Sequence, residues 1–283
     1  WLPITELEHS ESRKSMAEIT ENFIDIRKVL AAKGLKKVPS WVVALLNRLL
    51  HVDELNEAIY AYRDREGVDF AQAVMQERLN ISIEVEGAEH IPTEGNPIIA
   101  GNHPLGGADG LALISVVGSK RRDVKFPVND FLMYLPNLKE VFVPVDKVHR
   151  HNKCIYALEE AFAGSNALLY FPAGICSRKG KEGIRDLEWK PTFVKKAIQY
   201  GRDVVPVHIE AHNRRRFYWI ANLRKRLGIR FNFEMALLPG EMFAQRGKRI
   251  RIVFGEPIPW QTFAEQRTAK EWAAWMREKV YEL

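Results

Sequence analysis

Four apolar residues, Pro97 to Ala100, lead into a glycine-rich turn and then a second apolar segment, all within the stretch PIIAGNHPLGGADG at 97–110. An apolar run this short, bounded by turn residues, predicts a buried strand. The turn carries Asn102, His103, Gly106, Gly107 and Asp109 ahead of the apolar segment from Leu111 to Val117. His103 and Asp109 therefore fall between the carboxyl end of a strand and the start of a helix, where open α/β sheets place their ligands. Histidine takes up a proton near neutral pH, and a nearby carboxylate fixes its tautomer and stabilises the imidazolium. The pair reads as a general base with its orienter, although the same residues also suit a helix cap with no chemistry.

Strands and helices alternate on either side of this stretch. The pattern ISIEV from Ile81 predicts a strand, as do Val124–Val128, Val141–Val145, Ala167–Phe171, Val204–Ile209 and Ile250–Phe254. Helices are predicted at Asn152–Ala163, with Gly164 in the capping position, at Pro191–Tyr200, ended by Gly201, and at Ala269–Tyr281. This alternation implies an α/β fold, a mixed, largely parallel sheet flanked by helices. Residues 1–80 read differently, as short helices broken at Pro39 and Gly67. The expected organisation is an N-terminal helical appendage over 1–80, packed across the sheet, and an α/β domain over 81–283.

Composition narrows the class. With 46% hydrophobic and 28% charged residues, the 283-residue chain has enough apolar material for a large core and no sign of disorder. Two cysteines, Cys154 and Cys176, exclude a disulfide framework and fit a reducing cytosol. The start, WLPITELEHSESRK, lacks the pattern of a signal peptide, and WVVALLNRLL at 41–50 is too short to span a bilayer. Any membrane contact is expected to be peripheral. A formal charge of +6 suits an anionic partner. Arg214 to Arg230 combines seven basic residues, Arg215 and Arg216 among them, with Phe217, Tyr218 and Trp219. That mixture suits an anionic bilayer interface, as does an apolar face around Trp41. No nucleic-acid motif accompanies it, so no nucleic-acid partner is expected.

Three predicted strand ends carry polar residues: the His103 turn, VPVDKVH at 143–149, and FPAGICSRKGK at 171–181. In a parallel sheet they lie along one edge and can converge. Gly174 permits close backbone approach to a ligand, and Ser177, Arg178, Lys179 and Lys181 make a basic loop able to hold a phosphate or carboxylate. Cys176 raises the prospect of a nucleophilic thiol, which is disfavoured because only Arg178 and Lys179 stand near it in sequence to lower its pKa. His208 and His212 do not match a zinc spacing, and no metal is expected.

In order, Asn102-His103 with Asp109, VPVDK ending at Lys147, FPAGICSR from Phe171 to Arg178, and VVPV at 204–207 resemble the four motif blocks of the glycerolipid acyltransferase superfamily, which includes lysophosphatidic acid acyltransferases. The resemblance covers about residues 81–260. It implies a membrane-associated O-acyltransferase on the cytoplasmic side, peripheral to the inner face of the membrane. The donor would be an acyl thioester, acyl-CoA or acyl carrier protein, with no resident cofactor. The acceptor would be a hydroxyl of a lysophospholipid or related lipid. His103 and Asp109 would be catalytic, and Asn102, Lys147, Gly174, Ser177, Arg178 and Lys179 would bind substrate.

The departures from the family pattern fall at the site. Five residues rather than four separate His103 from Asp109, and Lys147 stands for an Arg. In the third block Ala173, Ile175 and Cys176 replace a Glu, a Thr and an Arg associated in the family with a phosphorylated acceptor. A singly acylated amino-acid lipid then becomes an alternative acceptor. A lipid-binding module that has lost its chemistry is the reading from another class.

Overall fold

The computed structural model describes residues 23–145 and 152–283 apart from residues 33 and 36. Helices α1 (Ile26–Ala32), α2 (Ser40–Leu49), α3 (Val52–Ala61) and α4 (Gly67–Ala73) precede strand β1 (Ser82–Glu86). There follow β2 (Ile98–Gly101), α5 (Gly107–Gly118), β3 (Val124–Asn129), β4 (Phe142–Val145), α6 (Asn152–Ala163) and β5 (Ala167–Tyr170). A hairpin of β6 (Arg178–Gly180) and β7 (Gly183–Arg185) leads to α7 (Thr192–Tyr200), β8 (Val204–Glu210), α8 (Arg215–Arg226), α9 (Leu238–Phe243), β9 (Arg249–Phe254) and α10 (Ala269–Glu282).

The main sheet has seven strands in the order β1-β9-β8-β2-β5-β3-β4. Every neighbouring pair runs parallel except β8 and β9. β2 lies at the centre, with Ile99 in register with Leu169 on β5 and Val205 on β8. Its apolar run follows from that position, because both faces are covered. Ile99 joins the core made with α4 and α5, and Ile98 and Ala100 join the core made with α6, α7 and α10. At the other end of β2, buried Arg202 donates to five carbonyls, of Asn96, Ala161, Phe162, Gly164 and Asn166. Those carbonyls neutralise the cost of burying a guanidinium by accepting all its donors.

The N-terminal helices divide between two cores. Val68, Phe70, Ala71, Val74 and Met75 belong to the main core. A methyl at Gly118 would come within 2.3 Å of Val68, so the glycine is what allows α4 to lie this close to α5. Ile24, Ile26, Val43, Val52 and Ile59 form a smaller cluster beside it. Near residue 80 the chain changes from helices alone to alternating strands and helices, while the packing runs across the change. One local expectation is corrected: the basic segment after Ser177 is a hairpin rather than a loop, Lys179 pairing with Ile184. Its three-residue strands are too short to show an alternation in sequence.

Candidate active site

Gly101 ends β2 and Gly106 stands in the N-cap position before α5, with φ +95° and ψ −90°, a conformation closed to other residues. This turn accommodates the five residues between His103 and Asp109. Asp109 Oδ2 lies 3.0 Å from His103 Nδ1 and accepts the N–H of Leu105 at 2.8 Å and of Gly106 at 3.1 Å, while Oδ1 accepts from Gly110 N at 2.8 Å. The carboxylate is fully buried, so these bonds offset the loss of its hydration. It accepts from the start of the helix and lies within hydrogen-bond reach of the ring at once.

The His103 ring stacks on Phe171, centroids 4.3 Å apart, and Phe171 meets Phe126 edge-on. Burial disfavours charge on the imidazole, but the Asp109 carboxylate and, less strongly, the Cys176 thiol outweigh it and hold the His103 pKa well above 6.5. Since Nδ1 donates to Asp109, Nε2 is the nitrogen left to accept a proton.

His103 lines an apolar cavity of about 480 Å³, a size suited to a small molecule or chain. Its walls come from α5 (Leu111, Ile114), from Leu132, Leu135 and Phe142, from the N-terminal helices (Ile26, Leu46, Leu55, Ile59), and from Met235, Leu238 and Met242. The chemistry available is proton transfer at Nε2 beside a hydrocarbon-lined space.

The other predicted residues divide. Asn102 is buried, donates from Nδ2 to Ile209 O at 3.0 Å and accepts from Ile209 N at 2.7 Å, joining the end of β2 to β8. Both groups of its amide are thereby used to fix the strand end that carries His103. Ser177 is also fully buried, its Oγ donating to Asp186 Oδ1 at 2.6 Å. Arg178 donates to the buried carboxylate of Glu234 at 2.9 Å and to Cys176 O at 2.7 Å, and lies over the Phe217 ring. A buried Glu requires such a partner, so this guanidinium is structurally occupied. Gly174 has φ +66° in the turn after β5, and the Lys179 ammonium is exposed. Lys147 lies outside the described residues.

On the proposed membrane surface, Trp41 and Trp219 are 70% and 65% exposed. Arg215 is exposed, and Arg216 is half-exposed with Nε 3.0 Å from Glu241. No helix among the described residues is long and apolar enough to cross a membrane.

Sequence reasoning missed Asp186. Its Oδ1 accepts the His103 N–H at 3.1 Å as well as the Ser177 hydroxyl, its Oδ2 accepts from Trp189 at 2.9 Å, and its own N–H donates to the Tyr281 hydroxyl at 2.7 Å. Burial raises its pKa against these bonds. It stands in a mixed charged stretch, with no periodicity or motif to single it out.

The family model described as Acyltransferase matches residues 28–283. The chain is 44% identical over 265 residues to the lyso-glycine lipid O-acyltransferase of Bacteroides thetaiotaomicron, covering 92% of this chain and 97% of that protein. It is 41% identical over 278 residues to the lyso-glycine lipid O-acyltransferase of Phocaeicola vulgatus, covering 95% and 99%. Among solved structures, it is similar to the 1-acyl-sn-glycerophosphate acyltransferase of Thermotoga maritima, at 17% identity and a TM-score of 0.49 over 92% of this chain and 89% of that one. With the family model spanning nearly all of the described chain and both relatives matched almost end to end, the chain belongs to the glycerolipid acyltransferase superfamily and is an acyltransferase.

Proposed function

We propose that this enzyme transfers a fatty acyl group from a thioester donor, acyl-CoA or acyl carrier protein, to the free hydroxyl of a singly acylated amino-acid lipid, at the cytoplasmic face of a membrane. The observation that carries the reading is His103 on the wall of the apolar cavity, with Asp109 paired to its other ring nitrogen. His103 Nε2 takes the hydroxyl proton as the oxygen attacks the thioester carbonyl. The tetrahedral intermediate then collapses, the C–S bond breaks, and the proton passes from the imidazolium to the departing thiolate. The cavity holds the hydrocarbon, each buried methylene contributing about 0.8 kcal/mol. No covalent enzyme intermediate is required.

Two features favour an acceptor with one carboxylate over a lysophosphatidate. Both relatives are named for a lyso-glycine lipid. Arg178, the cation that remains from the third block, is engaged by Glu234, which withdraws that one side chain from the phosphate role its family counterpart has. Two free cysteines accord with a reducing compartment. Exposed Trp41, Trp219, Leu227 and Phe231, with the basic residues of α8, supply an interfacial surface.

The test supplies purified protein with a long-chain acyl thioester and equal amounts of lyso-glycine lipid and lysophosphatidate. Thiol release and the acylated products are followed together. Acylation of the glycine lipid at least as fast as lysophosphatidate is expected. A clear preference for lysophosphatidate would refute the acceptor assignment, and thiol release no faster than in buffer would refute the transfer itself.

A further inference from the structure

A second cavity, of about 500 Å³, lies between the β6–β7 hairpin and α8, and it is cationic where the first is apolar. Lys179, Lys181, Arg185, Arg224, Lys225 and Arg277 line it, and a shallow continuation reaches Arg226. Arg185 and Arg277 are answered by Glu278, and Arg224 by Glu234. Among the described residues, Lys179, Lys181, Lys225 and Arg226 form no ion pair. Glu182 and Asp186 also line the groove, Glu182 lying 3.2 Å from Arg185, so its cations outnumber its carboxylates and the excess positive charge attracts a multiply charged anion. That excess is more than a single carboxylate needs.

The position of this groove matters as much as its charge. Asp186 lines it, and the same Asp186 accepts the His103 N–H at 3.1 Å and the Ser177 hydroxyl at 2.6 Å. The segment Asn232–Leu238 borders both cavities, Asn232 at the groove and Met235 and Leu238 at the apolar one. The two spaces share no lining residue; the apolar cavity includes His103 itself, and the groove reaches the histidine turn through Asp186. A molecule that crosses His103 from one to the other has a hydrocarbon tail, a reactive carbonyl and then a polyanionic head, in that order.

We propose that the groove binds the phosphate end of the acyl donor, the phosphorylated pantetheine arm that coenzyme A and acyl carrier protein share. This rests on the thioester-donor reading above. The tail occupies the apolar cavity, the thioester carbonyl sits at His103 Nε2, and Lys181 and Lys225 meet the phosphate.

Titration calorimetry with 4′-phosphopantetheine and with pantetheine, on the intact protein and on Lys181→Glu/Lys225→Glu, tests this without turnover. The intact protein should bind phosphopantetheine at least tenfold more tightly than pantetheine, and the double variant should lose that difference. The milder Lys181→Gln/Lys225→Gln, checked for folding by thermal unfolding, should lose part of it. Separate titrations with coenzyme A and with holo carrier protein identify the source, since a gain over phosphopantetheine with either supports the proposal. In turnover the donor KM should rise while the acceptor KM and kcat hold. Equal affinity of the intact protein for pantetheine and phosphopantetheine would overturn it. So would a variant that keeps donor binding and loses binding to anionic vesicles, which would give the groove to the lipid surface. Absence of acyl transfer with phosphopantetheine binding intact would count against the functional reading and leave the groove standing.

Discussion

Asp109 Oδ2, 3.0 Å from His103 Nδ1, is also the acceptor for the backbone N–H groups of Leu105 and Gly106. The atom that orients the base is thus fixed by the helix start it caps. His103→Ala should cut transfer by about 10²–10⁴, the range for loss of a general base, with little change in unfolding temperature. Asp109→Asn should cost less activity, because the ring remains. It should also lower stability by about 1–2 kcal/mol, because an amide cannot accept all these bonds. Initial rates and thermal unfolding on the two variants check both parts, and full activity in His103→Ala would end the general-base reading.

The raised pKa of His103 gives the rate a direction with pH. Only the neutral ring accepts a proton, so kcat/KM should climb as pH rises through a midpoint above 6.5. In Asp109→Asn the carboxylate that raises the pKa is gone while burial still lowers it. The midpoint should therefore move to lower pH even as the plateau falls. A pH–rate profile with the same midpoint in both proteins would contradict this.

Arg178 and Lys179 are neighbours that should respond differently. Arg178→Ala removes one of two arginines from fully buried Glu234, the other being Arg224, and should cost about 1.5–3 kcal/mol. Lys179→Ala should stay within about 0.5 kcal/mol. Chemical denaturation compares them. An Arg178→Ala protein of unchanged stability but greatly raised acceptor KM would return this arginine to the acceptor.

Chain length should be set by α5. Leu111 lines the apolar cavity and is only partly buried, so Leu111→Trp takes up cavity volume without rebuilding the core. Each methylene that no longer fits forfeits about 0.8 kcal/mol, close to fourfold in kcat/KM. A series of acyl thioesters should show the optimum shifted to shorter chains, and an unshifted optimum would place the chain elsewhere.

At the membrane two forces should separate. Basic α8 is screened by salt, whereas Trp219 and Phe231, 65% and 77% exposed, bind through the hydrophobic effect. Binding to anionic vesicles should weaken as salt rises and leave a residue that Trp219→Asp/Phe231→Asp abolishes. Equal binding to neutral and anionic vesicles would remove the electrostatic part.

The strands of the main sheet, the buried strand β2 and the closeness of His103 to Asp109 are local matters legible in the chain, whereas the β6–β7 hairpin and helices α8 and α9 were not among the predicted elements. Apolar run length reports burial, and a strand, a turn and a helix start within one short stretch leave the histidine and carboxylate few ways to avoid each other. The partners of the remaining site residues come from far along the chain. Asn102 is held by Ile209, His103 N by Asp186, and Arg178 by Glu234. Periodicity tells which side of an element is covered and not which distant residue covers it, so the partners that engage Asn102, Ser177 and Arg178 within the protein are not legible in the sequence. The apolar cavity, drawn from residues as far apart as Ile24 and Phe243, and the cationic groove beside it exist only as gaps between packed elements. Tertiary packing alone decides where such gaps fall.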